Sequence, residues 1–332
     1  MNVLCMGETL LRYSTQKGHR ISELDFQVHV GGSETNIAVN LAQYGFHTSL
    51  LTKLPRHALG DAVISFLKSF GVDTSLILRN DMRIGSYFLE NGSGNRASQV
   101  IYDRCYSAMT SFCLEDVDLD KLFHNVDVFI VSGITVALNQ NIQDAVVEMM
   151  KYCRGNRILV VYDSNYRAKL WDLETAGKAL KRILPYVDIL SAGYLDAQNL
   201  LGITSSKETF EEKLADVYNQ IKQQYPHIRY IMSTKRDIIS TSVNELTGYL
   251  YDEALHVSST YRIDDIVDRV GGGDAFLSGV LYGLLNHRDV QYSLMFGCCA
   301  SVLKHTIHGD ANQFNIEEIE SFMYQGISKI NR

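Results

Sequence analysis

Short runs of β-type apolar residues alternate along the chain with segments whose apolar residues recur at helical spacing. The strand-like runs lie at 3–6, 126–131, 158–163, 187–190 and 230–234. The segments between them include helical patterns at 141–152 and 176–184. Strands that alternate with helices predict βαβ units, and therefore an α/β fold with a mostly parallel central sheet. Such a sheet binds its ligands beyond the carboxyl ends of its strands.

Two segments, 12–30 and 84–106, follow a different pattern, in which polar and apolar residues alternate without helical spacing. The second resembles two strands joined around an Asn-Gly turn, and we interpret GSGNRA (92–97) as part of that turn. Together the segments predict a small antiparallel lid beside the main sheet. Since its edge strands are free to pair with a second copy, we expect a homo-oligomer, a dimer formed through the lid.

Composition narrows the class of protein. The chain has 332 residues, 46% of them hydrophobic, and a formal net charge of −7 without a long basic run. These values favour a globular protein and argue against nucleic acid or an anionic membrane as the main partner. The start of the sequence does not resemble a signal peptide, and the six cysteines show no C-x-x-C or zinc spacing. We therefore expect a cytoplasmic protein with free thiols.

The stretch DRVGGGDAF (268–276) carries the clearest chemistry. Gly271, Gly272 and Gly273 directly precede Asp274, after which apolar residues recur at helical spacing. A glycine turn that opens a helix presents free amides to an anion and lets it approach closely. If the anion is a phosphoryl group in transfer, Asp274 is placed to take the proton of the attacking hydroxyl. The alternative is that Asp274 only caps the helix.

The chain contains no G-x-x-x-x-G-K-[ST] motif, so it is not a P-loop enzyme. It resembles instead the PfkB, or ribokinase-like, carbohydrate kinases. VGGSETNIAVNLAQYG (30–45) is similar to the N-terminal signature of that family, LGDAVISFLKSFGVDTS (59–75) to the helix that follows it, and DRVGGGDAF to the C-terminal signature. The three blocks stand in the family's order. Within the family, DSNYRAKLW (163–171) and IYDR (101–104) most resemble 2-keto-3-deoxygluconate kinases.

The resemblance implies one kinase domain over residues 1–332, with a ribokinase-like three-layer sandwich and a lid near 12–30 and 84–106. It also implies that ATP, with Mg2+, phosphorylates the 6-hydroxyl of 2-dehydro-3-deoxy-D-gluconate. Asp274 matches the catalytic base, and Gly271, Gly272 and Gly273 match the anion hole. Substrate contacts are expected from Gly32, Asn36, Tyr87, Tyr102, Arg104, Arg167, Asp274 and Asp310. Nucleotide contacts are expected from Asn165, Arg167, Thr234, Lys235, Arg236, Gly271 and Gly273.

Three positions depart from the family's pattern. Arg269 replaces the common threonine of the C-terminal signature. Gly193 and Asp196 stand where the family usually has an Asn-x-x-Glu motif linked to magnesium, which leaves Asp196 as the expected metal-linked residue. The segment 233–240 lacks a glycine-rich nucleotide loop, so Lys235 or Arg236 would contact phosphates, or else be solvated.

The residues themselves also favour an acidic substrate, because guanidinium groups bind carboxylates bidentately. Arg104 lies in the expected lid, and Arg167 follows a strand end. For each arginine the alternative is a surface ion pair. Tyr87 and Tyr102 either pack against a sugar or only against the hairpin. Asn36 either faces the sugar or caps backbone groups, and Asp310 either contacts substrate or only forms a turn.

Two other functions are compatible with the sequence. One is a kinase of the same family that acts on another sugar, such as fructose or a deoxy-inositol-derived acid. The other is a sensor of sugars or nucleotides on the same fold without catalysis, which the changes at Gly193 and Asp196 would permit. An intact Asp274 argues for the enzyme.

Overall fold

The computed structural model describes residues 1–326. The strands are β1 (Asn2–Met6), β2 (Leu10–Ser14), β3 (Gln27–Gly31), β4 (His47–Pro55), β5 (Ile77–Asn80), β6 (Gly85–Glu90), β7 (Gln99–Asp103), β8 (Val128–Ser132), β9 (Leu159–Asp163), β10 (Ile189–Ser191), β11 (Tyr230–Ile238), β12 (Asn244–Tyr251), β13 (Leu255–Val257) and β14 (Tyr261–Ile263). The helices are α1 (Ser33–Gln43), α2 (Ala58–Ser69), α3 (Leu119–Leu122), α4 (Gly133–Val136), α5 (Gln140–Gly155), α6 (Leu173–Ile183), α7 (Tyr194–Asp196), α8 (Phe210–Gln224), α9 (Gly272–Leu285), α10 (Val290–Lys304) and α11 (Ile316–Gln325).

The main sheet has the order β13-β12-β11-β10-β9-β8-β1-β4-β5, with β14 also paired to β12. Strands β11 to β5 of this order run parallel, which confirms the predicted parallel sheet. Strands β12, β13 and β14 extend it antiparallel. The predicted strands are present with shifted ends; for example, the strand predicted at 230–234 continues to Ile238.

Both faces of the main sheet are covered by helices, as the apolar runs of its parallel strands require. One face packs Phe129, Tyr162 and Leu190 against α5, α6 and α8. The other face packs residues such as Ile130 and Val161 against α1, α2, α9 and α10. The chain thus forms the expected three-layer α/β sandwich of the ribokinase-like fold, with a core on each side of the sheet.

A second, smaller sheet has the order β3-β2-β6-β7 and falls within the predicted lid segments. Its outer pairs, β3 with β2 and β6 with β7, are antiparallel as predicted, whereas the central pair of β2 and β6 is parallel. The hairpin turn between β6 and β7 spans residues 91–98 and is therefore wider than a two-residue turn. Register aligns His29, Arg12, Tyr87 and Tyr102 in one row across this sheet.

All six cysteines are free thiols, in agreement with the sequence analysis. No helix within residues 1–326 has the length and apolarity needed to cross a membrane.

Phe129 provides a test of the core beneath the sheet. Its ring is fully buried and meets Phe123 edge to face, with centroids 5.3 Å apart. We expect Phe129→Ala to lower the free energy of unfolding by about 3–5 kcal/mol, because the truncation leaves a cavity. Urea denaturation measures the change. Leu59→Ala on the half-exposed surface of α2 is the control, with an expected change within about 0.5 kcal/mol; equal losses for the two variants would contradict the assignment of the core.

Candidate active site

A cleft of about 1450 Å³ opens between the small sheet and the carboxyl ends of the parallel strands. Every residue that the sequence analysis nominated for catalysis or binding lines it. These residues are Gly32, Asn36, Tyr87, Tyr102, Arg104, Asn165, Arg167, Asp196, Thr234, Lys235, Arg236, Gly271, Gly272, Gly273, Asp274 and Asp310. The structure therefore brings the nominated residues together, although they are distributed between positions 32 and 310.

The glycine turn leads into helix α9 at one end of this cleft. Gly271 is the N-cap residue and has φ +80°, a left-handed conformation that favours glycine. A Cβ at Gly271 would lie 1.7 Å from the carbonyl oxygen of Asp310, whereas a Cβ at Gly273 would meet open space. The first amides of a helix lack intrahelical acceptors, so this turn presents them to the cleft. The geometry suits an anion held against main-chain N–H groups.

Asp274 is held by helix α1 rather than by the turn that it follows. The Ser33 hydroxyl donates to its Oδ1 at 2.8 Å, and the Asn36 amide donates to its Oδ2 at 2.7 Å. Burial raises the pKa of Asp274, while these two hydrogen bonds and the charges of Arg167 and Lys304 oppose the rise. Since the carboxylate accepts from another helix and Gly271 is the N-cap, capping does not account for Asp274. Asn36 contacts this carboxylate and does not cap backbone groups.

A second carboxylate, Asp163, lies at the end of β9 close to Asp274. Burial is the first cause that raises its pKa to about 7, and the charge of Asp274 adds to the effect. The side-chain amide of Asn165 donates to Asp163 at 3.0 Å and to the Ser33 hydroxyl at 3.2 Å. Asn165 therefore bridges the β9 end and the residues that hold Asp274. Sequence reasoning missed Asp163, although its position at the carboxyl end of a buried strand was a usable signal.

Asp196 is the last residue of the short helix α7, which follows β10. Its Oδ2 accepts a hydrogen bond from the Gly193 amide at 2.8 Å, and burial raises its pKa. Among residues 1–326 no group of three or more His, Cys, Asp or Glu side chains could hold a metal ion. Two carboxylates, Asp163 and Asp196, line the cleft. Such a pair suits Mg2+, which binds through one or two carboxylates, waters and substrate phosphates rather than through an all-protein cage.

Arg104 forms a buried ion pair with Glu8. Its Nε donates to Glu8 Oε2 at 2.8 Å, its Nη2 contacts the same oxygen, and the Ser107 hydroxyl donates to Oε1. The expected alternative of a surface ion pair is therefore corrected, because both partners are almost fully enclosed. Arg104 Nη1 makes no hydrogen bond to a described residue and remains for a ligand. Glu8 also lines the cleft and was missed, because its partner lies 96 positions away.

Asp310 also lines the cleft, and the Tyr87 hydroxyl donates to its Oδ2 at 3.1 Å. Burial raises the pKa of Asp310 to about 6, and the adjacent Arg12 opposes the rise. Tyr102 packs near Tyr87, with ring centroids 6.0 Å apart. These side chains enclose the end of the cleft nearest the small sheet and combine aromatic faces with a carboxylate.

Arg167, Arg236 and Arg269 line the end of the cleft nearest the glycine turn. None of the three forms an ion pair with a described acid, while the Arg269 guanidinium donates to the Ser240 carbonyl at 2.7 Å. Burial and then the charges of Arg269 and Arg167 lower the pKa of Arg236. Lys235, by contrast, pairs with Asp237 at 3.0 Å. Cations that repel one another without an acidic partner make this end of the cleft suited to an anion of several charges.

Known proteins resemble the chain over nearly its whole length. The pfkB family carbohydrate kinases match residues 2–316. A 2-dehydro-3-deoxygalactonokinase of Haloferax volcanii is 28% identical over 99% of both chains. The crystal structure of a 2-dehydro-3-deoxygluconokinase of Thermotoga maritima is 38% identical and superposes with a TM-score of 0.93 over 97% of this chain and 99% of the other.

More distant structures share the fold alone. One is a protein of E. coli solved in complex with ATP and Mg2+, which is 17% identical with a TM-score of 0.78 over 97% of this chain and 98% of the other. The family match covers both signatures, and the cleft holds them against each other through Ser33, Asn36 and Asp274. The chain belongs to the pfkB family of carbohydrate kinases.

Proposed function

We propose that this kinase transfers the γ-phosphoryl group of ATP to the 6-hydroxyl of 2-dehydro-3-deoxy-D-gluconate, a sugar acid. The observation that carries the proposal is the Asp274 carboxylate. Ser33 and Asn36 orient it at the start of α9, directly after a glycine turn that is open at Gly273. A base and an anion hole on adjacent residues are what phosphoryl transfer to an alcohol requires.

In this mechanism Asp274 accepts the proton of the attacking hydroxyl as the oxygen–phosphorus bond forms. Its pKa is raised by burial, which makes it a stronger base than an exposed aspartate. The hydrogen bonds from Ser33 and Asn36 fix the orientation of the carboxylate. The amides of Gly271, Gly272 and Gly273 stabilise the negative charge that grows on the transferred group. Gly273 lacks nearby atoms where a Cβ would be, so the phosphoryl group can approach the backbone.

The nucleotide would occupy the end of the cleft nearest the glycine turn, with its phosphates among Arg167, Arg236, Asn165 and Thr234. Lys235 contributes less charge because Asp237 neutralises it. Mg2+, when bound, neutralises phosphate charge, and Asp163 and Asp196 would hold its waters. The E. coli protein solved with ATP and Mg2+ supports the choice of cofactor only through the shared fold.

The sugar acid would lie between the glycine turn and the small sheet, bounded by Gly32, Tyr87, Tyr102 and Asp310, with its acceptor hydroxyl at Asp274. Its carboxylate would contact Arg167, at the boundary with the nucleotide, and Nη1 of Arg104. The T. maritima relative, named for 2-dehydro-3-deoxygluconate, supports this substrate. The H. volcanii relative, named for the galactonate epimer, favours that compound as the second candidate. An assay that couples ADP release to NADH oxidation, run with both epimers, fructose and ribose, tests the proposal. A higher kcat/KM with a neutral sugar would reject the acid assignment.

We also propose that two copies associate through the small sheet. On the face opposite Arg12 and Tyr87, register aligns Val28, Tyr13, Phe88 and Ile101 in an apolar row. Val28 and Ile101 are each about half exposed, at 53% and 51%. An exposed apolar row on a sheet with free edge strands matches a second copy of the same sheet.

Replacement of the base tests the mechanism. We expect Asp274→Asn to lower kcat by about 10²–10⁴-fold, because the amide cannot accept the proton. Calorimetry should still detect nucleotide binding. Asp289→Asn is the control, because Asp289 caps α10 and asparagine caps equally well. Turnover of the Asp274 variant within a few-fold of wild type would exclude Asp274 as base.

Replacement of Arg167 tests the acid. We expect Arg167→Ala to raise KM for the sugar acid about tenfold or more at saturating ATP, because a hydrogen bond to a charged group contributes roughly 1.5–3 kcal/mol. KM for a neutral sugar should change little. Arg182→Ala removes an exposed arginine that pairs with Asp144 and serves as the control. Equal effects on the acidic and the neutral sugar would show that Arg167 serves only the nucleotide.

Charges placed on the apolar row test the association. We expect wild type to elute as a dimer in size exclusion with light scattering. Val28→Glu together with Ile101→Glu should give a monomer, because burying two added carboxylates in an interface costs several kcal/mol. Val257→Glu, on partly exposed β13 of the main sheet, should leave the dimer intact. A dimeric double variant would place the interface elsewhere.

A further inference from the structure

A buried charge cluster connects the small sheet to the loop that carries the glycine turn. Arg12, on β2, is fully enclosed at 0% exposure. Its Nη1 donates to Asp268 Oδ1 at 2.9 Å, and its Nη2 contacts Asp268 Oδ2. Its Nε lies 2.8 Å from Asp310 Oδ1, an ion-pair contact whose geometry is not that of a hydrogen bond. One guanidinium therefore joins carboxylates from two loops that flank the site.

Asp268 also forms hydrogen bonds with the backbone of both loops. Its Oδ1 also accepts the Val270 amide at 3.1 Å, and its Oδ2 accepts the Gly309 amide at 3.2 Å. Its main-chain carbonyl accepts a hydrogen bond from the ammonium group of Lys304 at 3.2 Å. Val270 is the residue directly before the left-handed Gly271, so the orientation of Asp268 determines where the glycine turn begins.

The two loops also interlock through close backbone contacts. The carbonyl oxygen of Asp310 lies so close to Gly271 that a Cβ there would reach within 1.7 Å of it. The Asp310 carboxylate also lies close to Gly31, where β3 ends, since a Cβ on Gly31 would be 2.2 Å from Oδ2. Because the backbones are already in close contact, we expect a shift of Asp268 or Asp310 to displace the glycine turn.

The positive and negative charges of the cluster balance, so removal of any one residue leaves a buried charge without a partner. Arg12 and Lys304 contribute two positive charges, and Asp268 and Asp310 contribute two negative ones, all with at most 7% exposure. Buried charges persist only when they are paired and hydrogen-bonded. Loss of Arg12 would leave two carboxylates facing one ammonium group, and the loops would have to rearrange.

We propose that Arg12 is a positioning residue for phosphoryl transfer: through Asp268 and Asp310 it holds the glycine turn in its anion-binding form. Because Arg12 lies on β2, the glycine turn can bind an anion only while the small sheet keeps its position against the two loops. An arginine is required because its planar fork engages both oxygens of Asp268 while Nε still reaches Asp310. A lysine supplies the charge without the fork.

Kinetics of two variants test the proposal, and this part rests on the proposed function. We expect Arg12→Met to lower kcat by about 10²-fold, comparable to the loss of one anion-hole donor. Arg12→Lys should fall between it and wild type. KM for ATP should change by less than about threefold, since the turn acts mainly on the transition state. Lys53→Met is the control, because it breaks a partly buried ion pair with Asp116 outside the cleft.

Hydrogen exchange without ligands tests the same proposal independently of the substrate. Peptides that cover 266–275 and 306–311 should exchange faster in Arg12→Met and Arg12→Lys than in wild type, while peptides from α5 stay unchanged. Lys53→Met should leave both site peptides at the wild-type rate. If Arg12→Met does not fold, Arg12→Lys alone decides.

Unchanged exchange at the turn, or a kcat within twofold of Lys53→Met, would overturn the positioning role. An inactive wild type whose Arg12 variants show the exchange effect would reject the proposed substrate and keep this inference.

Discussion

The site depends on one constraint: the Asp274 carboxylate must stay ionised and correctly oriented although it is buried from water next to the position of a phosphate. An enclosed aspartate left without donors would take up a proton and lose its use as a base. Ser33 and Asn36 meet that constraint from the first turn of α1, which follows the Gly31–Gly32 turn. The packing of α1 against α9 is therefore part of the chemistry. The two signatures lie more than 200 positions apart in sequence, yet both are needed at one carboxylate. The C-terminal signature supplies Asp274, and the N-terminal signature supplies its two hydrogen-bond donors.

Close helix packing fixes this arrangement in the core. Helices α9 and α10 approach so closely at Gly279 that a Cβ there would lie 2.7 Å from the Cα of Gly297. Asn40, one turn beyond Asn36, donates to the Ser278 hydroxyl, and Ser278 in turn donates to the Asp274 carbonyl. Small residues let backbones meet, and polar contacts fix rotation about the helix axis. The start of α9 consequently has little freedom to turn Asp274 away from the cleft.

Local sequence patterns predicted the parallel sheet, the helix after Asp274 and the glycine turn, because each depends on periodicity or on φ preferences of neighbouring residues. The small sheet was predicted in place, but the parallel pairing of β2 with β6 was not, because strands from two distant segments carry no mark of their relative direction. Glu8 and Asp163 escaped for a related reason. The role of Glu8 depends on Arg104, which only the fold brings near, and the strand-end position of Asp163 does not by itself show that Asp274 lies beside it. The family resemblance supplied the remaining site residues, since isolated tyrosines and arginines have ordinary structural uses.

The hydrogen bonds between Asp274 and Asp163 have a direction, and that direction has a consequence. Ser33 donates toward Asp274, while the Asn165 amide donates both to Ser33 and to Asp163. An amide N–H is not exchanged along such a chain, so the link cannot act as a proton wire. The two acids therefore do not exchange a proton through this link, although the charge of Asp274 still raises the pKa of Asp163. A proton captured by Asp274 has no exit through these side chains, and it returns to solvent by way of the cleft once that is vacated.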